Sequence, residues 1–92
     1  MKETVTLVKE VNGLSELTFD WDKINGYELI KIERNAKKED ATMTVPALSQ
    51  VYQAHVAAVA TGLKYDEILT MPGQDFVAVT LKTQNFLLNS VK

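Results

Sequence analysis

The sequence predicts an α+β fold: an N-terminal antiparallel β-hairpin followed by three to four α-helices (ββααα), packed as one small domain over residues 1–92. Three observations predict it. Val, Thr, Leu and Phe alternate through the first twenty residues on either side of Asn12-Gly13. Leu48, Val51, Tyr52, His55, Ala58 and Val59 then recur at helical spacing up to Gly62. Finally, 92 residues at 46% apolar content suffice for one core and argue against disorder.

The hairpin is expected over about 3–20. A two-residue Asn-Gly loop would pair Val11 with Leu14 and place Val5 and Leu7 on the face opposite Leu17 and Phe19. A three-residue loop, with Gly13 as the left-handed bulge residue, pairs Leu7 with Leu17 and Val5 with Phe19. All four apolar residues then share one face. Burial therefore favours the three-residue loop, or another loop of the same parity.

After Trp21, the first helix is expected over about 26–37. Asn25 with Glu28 three residues on has capping-box spacing, and Ile24 and Leu29 sit where a hydrophobic staple would close. Gly26 weakens that start. Residues 37–44 read as a charged connection. The second helix, about 46–61, opens at Pro46, whose fixed φ suits a first turn, and closes on Gly62. A short helix is expected at about 65–70, before Met71-Pro72-Gly73. The last segment, about 74–89, carries two patterns. Val77, Val79 and Leu81 alternate as in a strand, whereas Phe76, Ala78, Thr80, Gln84, Leu87 and Leu88 fit a helix. Its unbroken length favours the helix, and Asp75 suits the positive end of the helix dipole.

Bulk properties exclude several functions. A net charge of −2 provides no electrostatic footprint for nucleic acid. Lys37-Lys38 are followed at once by Glu39-Asp40, which cancel them. Without cysteine there is neither a disulfide framework nor a thiolate site. No apolar run nears the ~20 residues that span a bilayer, and the opening Met-Lys-Glu-Thr-Val-Thr-Leu lacks the apolar stretch of a signal peptide. The expected location is the cytoplasm, with no membrane partner.

Catalytic groupings are absent. His55 is the one histidine, in mid-helix with no Ser, Asp or Cys beside it, and reads as a partly buried residue donating to a carbonyl. The acidic pairs Glu39-Asp40 and Asp66-Glu67 are sequence neighbours, whose side chains diverge. Asp20 and Asp22 flank Trp21 without the spacing of a calcium loop. The four glycines form no phosphate-cradling run. No enzyme activity, cofactor or metal is expected.

What remains is apolar surface. Trp21, Phe86, Leu87, Leu88 and Val91 exceed what one face of two elements needs. They either close the small core or form an exposed patch for a partner. Tyr27, Tyr52 and Tyr65 admit the same two readings, core edge or interface anchor. Trp21, Tyr27, Phe86 and Leu87 are the candidate partner-binding residues.

The order of these elements resembles the tail assembly chaperones of bacteriophages and prophages, of the Mu-like prophage type. The residues that carry the resemblance are Leu17-Thr18-Phe19-Asp20, Asn25-Gly26 with Leu29, and Ala57-Ala58 with Thr61-Gly62. Asp66 with Ile68-Leu69, Asp75-Phe76 and Phe86-Leu87 complete it. All are packing or capping residues, so their order and spacing carry the match.

The resemblance implies a non-enzymatic protein that binds the tape measure protein and keeps it soluble until tail tube subunits polymerise around it. The tail tube protein is a further expected contact, and self-association another. Such a chaperone works in the cytoplasm of the bacterial host and is absent from the mature virion. Many members are made in two lengths by a ribosomal frameshift, and a chain ending four residues after Leu88 is compatible with the short form. The alternative from the residues alone is a small α+β adaptor or regulatory module that binds protein without any tail-assembly role. A small-molecule carrier is a third reading, for which a chain this size has little spare volume.

Overall fold

The computed structural model describes residues 2–88. It is an α+β fold: a two-stranded antiparallel hairpin followed by four α-helices. The strands are β1 (Lys2–Val11) and β2 (Leu14–Asp20). The helices are α1 (Gly26–Glu39), α2 (Gln50–Thr61), α3 (Tyr65–Leu69) and α4 (Gly73–Leu88).

The hairpin turn differs from the three-residue loop expected. Val11 pairs with Leu14 across a two-residue turn. Asn12 (φ 53°) and Gly13 (φ 79°) are both left-handed, as a type I′ turn requires. The face assignment is instead set farther along. Between the Thr6–Glu16 and Val11–Leu14 pairs, four β1 residues lie opposite the single residue Ser15. That bulge of three extra residues flips the parity. Val5 therefore pairs with Leu17, and Glu3 with Phe19. Leu7, Leu17 and Phe19 are buried on one face with Val5 packed against them. The shared apolar face is as expected, while the partners are displaced by two residues.

Asn25 caps α1, its side chain accepting from the Glu28 N–H at 3.0 Å. The helix expected from Pro46 divides in two. Pro46–Leu48 forms one 3-10 turn, after which the extended Ser49 caps α2, its hydroxyl accepting from the Tyr52 N–H at 3.3 Å. A serine at that position terminates the turn and restarts the helix. At the other end Gly62 (φ 79°) closes α2 as a left-handed cap, its N–H donating to the Ala58 carbonyl.

Helix α2 is the centre of the molecule, touching β2, α1, α3 and α4. Ala54, Val56, Ala57, Ala58 and Ala60 are all buried, so the helix is apolar almost all round and its small side chains let neighbours approach closely. The rest of the core comes from Tyr52 of the same helix, from Leu7, Leu17, Phe19 and Trp21, from Ile32 and Ala36 of α1, and from Ile68, Met71 and Val79. Buried Gln53 is satisfied twice, donating to the Ala47 carbonyl (2.7 Å) and to Gln84 Oε1 (3.0 Å). It thereby ties both the 3-10 turn and α4 to the central helix.

Candidate protein-interaction surface

The last segment is helical from Gly73 to Leu88. Asn89 and Val91 lie outside the described residues. The inward face of α4 carries Asp75, Val79 and Thr83, all buried, with Thr80 beside them. Both buried threonines bond back into their own helix, Thr80 to the Phe76 carbonyl and Thr83 to that of Val79, each at 2.9 Å. They therefore fill the core without leaving an orphaned hydroxyl.

Asp75 does more than complement the helix dipole. Its carboxylate is 1% exposed and accepts from the Val8 N–H (Oδ1, 2.7 Å) and the Lys9 N–H (Oδ2, 3.0 Å). Those donors belong to the bulge of β1, where the ladder is interrupted and backbone groups need other partners. α4 and the hairpin are thus joined through one side chain.

The outward face is of another kind. Val77, Leu81, Gln84 and Leu88 fall at i, i+4, i+7 and i+11, a single row about 16 Å long. Val77, Leu81 and Leu88 are each about half exposed, at 53%, 52% and 49%. The exposed residues beside the row, Gln74 and Asn85, are uncharged. The result is an uncharged, apolar ridge standing off a closed core.

The four residues singled out from sequence are not brought together as one patch. Trp21 is 3% exposed and belongs to the core. Its ring stacks on Phe86 (centroids 4.2 Å apart, planes 4° apart), tilts against Phe19 at 5.1 Å, and its Nε1–H donates to Glu3 at 2.9 Å. Phe86 and Leu87 are half-buried and lean on the same core. Tyr27 is 90% exposed on α1. Of the four, only Tyr27 is presented to solvent. The row Val77–Leu81–Leu88 was missed as a surface because its spacing there had been shared between a strand pattern and a core-facing helix.

A polar cluster joins α1, α2 and α3. The His55 and Tyr65 rings stack with centroids 3.8 Å apart and planes 2° apart. Tyr65 donates its hydroxyl hydrogen to Glu39 Oε2 at 2.7 Å, and His55 Nε2 lies 3.4 Å from Glu39 Oε1 without a formed hydrogen bond. The nearest acceptor to His55 Nε2 is thus a carboxylate, and this nitrogen makes no hydrogen bond to the carbonyl expected. Burial, together with the hydrogen bond and charge of Glu39, pushes the Tyr65 phenol well above its ordinary range. A second tie runs from the hairpin turn: Asn12 donates to Glu67 Oε2 (2.8 Å), whose other oxygen accepts from the Lys64 N–H (2.8 Å). Those two bonds, the backbone one first, hold the Glu67 carboxyl below the usual range.

Among the described residues no three His, Cys, Asp or Glu side chains converge as metal ligands, and no helix is long and apolar enough to cross a membrane. Compared with known proteins, the chain matches no family model, no curated protein and no solved structure.

Proposed function

We propose that this chain is a non-enzymatic phage tail assembly chaperone that binds and solubilises the tape measure protein while the tail tube assembles. The observation that carries the reading is the outward row of α4, with Val77, Leu81 and Leu88 exposed and no charge among them. A contiguous apolar row left in water is the kind of surface that binds a partner. A long helical client presents apolar stripes that aggregate when bare, and a rigid ridge of i, i+4, i+11 side chains suits such a stripe. One row of three side chains binds weakly, so many copies along one client supply the avidity. The contact surface proposed is the solvent-facing row of α4 rather than Phe86 and Leu87, which lean on the core. On this reading the protein acts in the bacterial cytoplasm, hands its client to the tail tube protein and leaves before the virion is complete.

The test is coexpression with the tape measure protein of the encoding phage, reading the client's soluble fraction and the copies bound per client by native mass spectrometry. The Val77→Asp/Leu81→Asp variant keeps its fold, because both side chains point outward, and loses solubilisation. A client that stays soluble with this folded variant would sink the proposal, as would a wild-type complex of one copy per client.

A further inference from the structure

In the sequence, Glu39-Asp40 cancel Lys37-Lys38. In the fold they do not, because successive helical residues point about 100° apart. Glu39 turns toward α3 and accepts from the Tyr65 hydroxyl at 2.7 Å. Asp40 ends α1 and accepts from the backbone N–H and hydroxyl of Thr42, at 3.2 and 2.7 Å. Lys37 pairs with Glu33 at 3.2 Å. Lys38 is left on the solvent side with Lys31 and Arg34, and among the described residues none of these three has an ion pair.

Tyr27, Lys31, Arg34 and Lys38 stand at i, i+4, i+7 and i+11, directly opposite buried Ile32 and Ala36. They form one row about 16 Å long. At its head stand Tyr27, 90% exposed, and Ile30, 57% exposed. A chain of net charge −2 thus carries an unpaired cationic row capped by an aromatic and an aliphatic side chain.

We propose that this face of α1 docks an acidic amphipathic helix of a partner protein. Carboxylates at i, i+3 and i+7 would lie along Lys31, Arg34 and Lys38, with an apolar side chain covering Tyr27 and Ile30. The charge distribution selects this occupant. One flank of the row carries Glu28, with Glu39 beyond it, and the other carries Glu33 in its ion pair with Lys37. A phosphate lattice, on a duplex or a bilayer, would meet those carboxylates on either side of the row. A single file of acids on a helix meets cations alone. The proposal does not rest on the reading of α4, which uses a different helix on another side of α2.

The probe is a fluorescent synthetic helix of about 18 residues, roughly 27 Å long. It carries Glu at i, i+3 and i+7 with leucines at the end that would meet Tyr27 and Ile30, and binding is followed by anisotropy. The expected result is binding that weakens as salt is raised, falls about tenfold or more in Lys31→Glu/Arg34→Glu, and falls several-fold in Tyr27→Ala. All three side chains are exposed, and unchanged circular dichroism melts confirm that the variants fold. Equal binding of a Gln-substituted peptide, or equal binding by the double variant, overturns the proposal. So does displacement of the peptide by duplex DNA or by phosphatidylserine vesicles at lower concentration than unlabelled peptide, which would assign the row to a phosphate surface.

Discussion

Replacing Asp75 with asparagine tests the link between α4 and the hairpin while changing almost no volume. The carboxylate receives two backbone N–H groups at 2.7 and 3.0 Å in a site that is 1% exposed. Hydrogen bonds to a charged acceptor contribute about 1.5–3 kcal/mol each. Asparagine keeps one carbonyl oxygen but turns an amide N–H₂ toward the second donor, so one bond is lost outright and the other loses its charge. The expected cost is about 3 kcal/mol, which for a domain of this size lowers Tm by roughly 12–24 °C. Urea unfolding followed by circular dichroism reads the free energy. Hydrogen exchange at the Val8 and Lys9 amides reads the site, and both should lose protection before the rest of β1. The reasoning fails if Asp75→Asn costs less than about 0.5 kcal/mol while both amides stay protected.

Two further perturbations follow from other contacts. Phe86→Ala removes the ring stacked on Trp21 and is expected to cost about 2–4 kcal/mol, with a red shift of the emission of the one tryptophan; unchanged stability and emission would mean that Phe86 is not a core residue. The Tyr65 phenol is raised in the fold, so above pH ~10 the unfolded chain releases a proton that the folded chain keeps. Stability is therefore fully present below that pH and falls as alkalinity rises through the folded value, and Tyr65→Phe should flatten the decline measured by urea titration at successive pH values.

How far the molecule could be read in advance is seen best at four places. The apolar face of the hairpin was legible from parity alone, because Leu7, Leu17 and Phe19 must be buried together. The route to it was not, because the bulge depends on a carboxylate 67 residues away in sequence from Val8. The alternation Val77, Val79, Leu81 looked like a strand. In the helix, residues two apart point about 200° apart, so Val79 enters the core while Val77 and Leu81 face water. That alternation was the signature of an apolar solvent face, and nothing local distinguishes the two. Trp21 was legible as a large apolar residue, but whether it packs or protrudes depends on Phe86, which only the tertiary fold brings over its ring. The KKED run likewise changes meaning once α1 continues through Glu39 and turns that acid toward α3.

The bulge also has a consequence for how the chain is made. Extended straight from its Asn12-Gly13 turn, the hairpin would set Val8 across from Leu17 and Thr6 across from Phe19, with Val5 and Leu7 on the wrong side. The carboxylate that holds the offset register comes from residue 75, and it leaves the ribosome long after the two strands do. A nascent hairpin is therefore free to sample the straight ladder first. Its final register is decided when α4 is synthesised and docks, so the earliest element to emerge is among the last to be fixed.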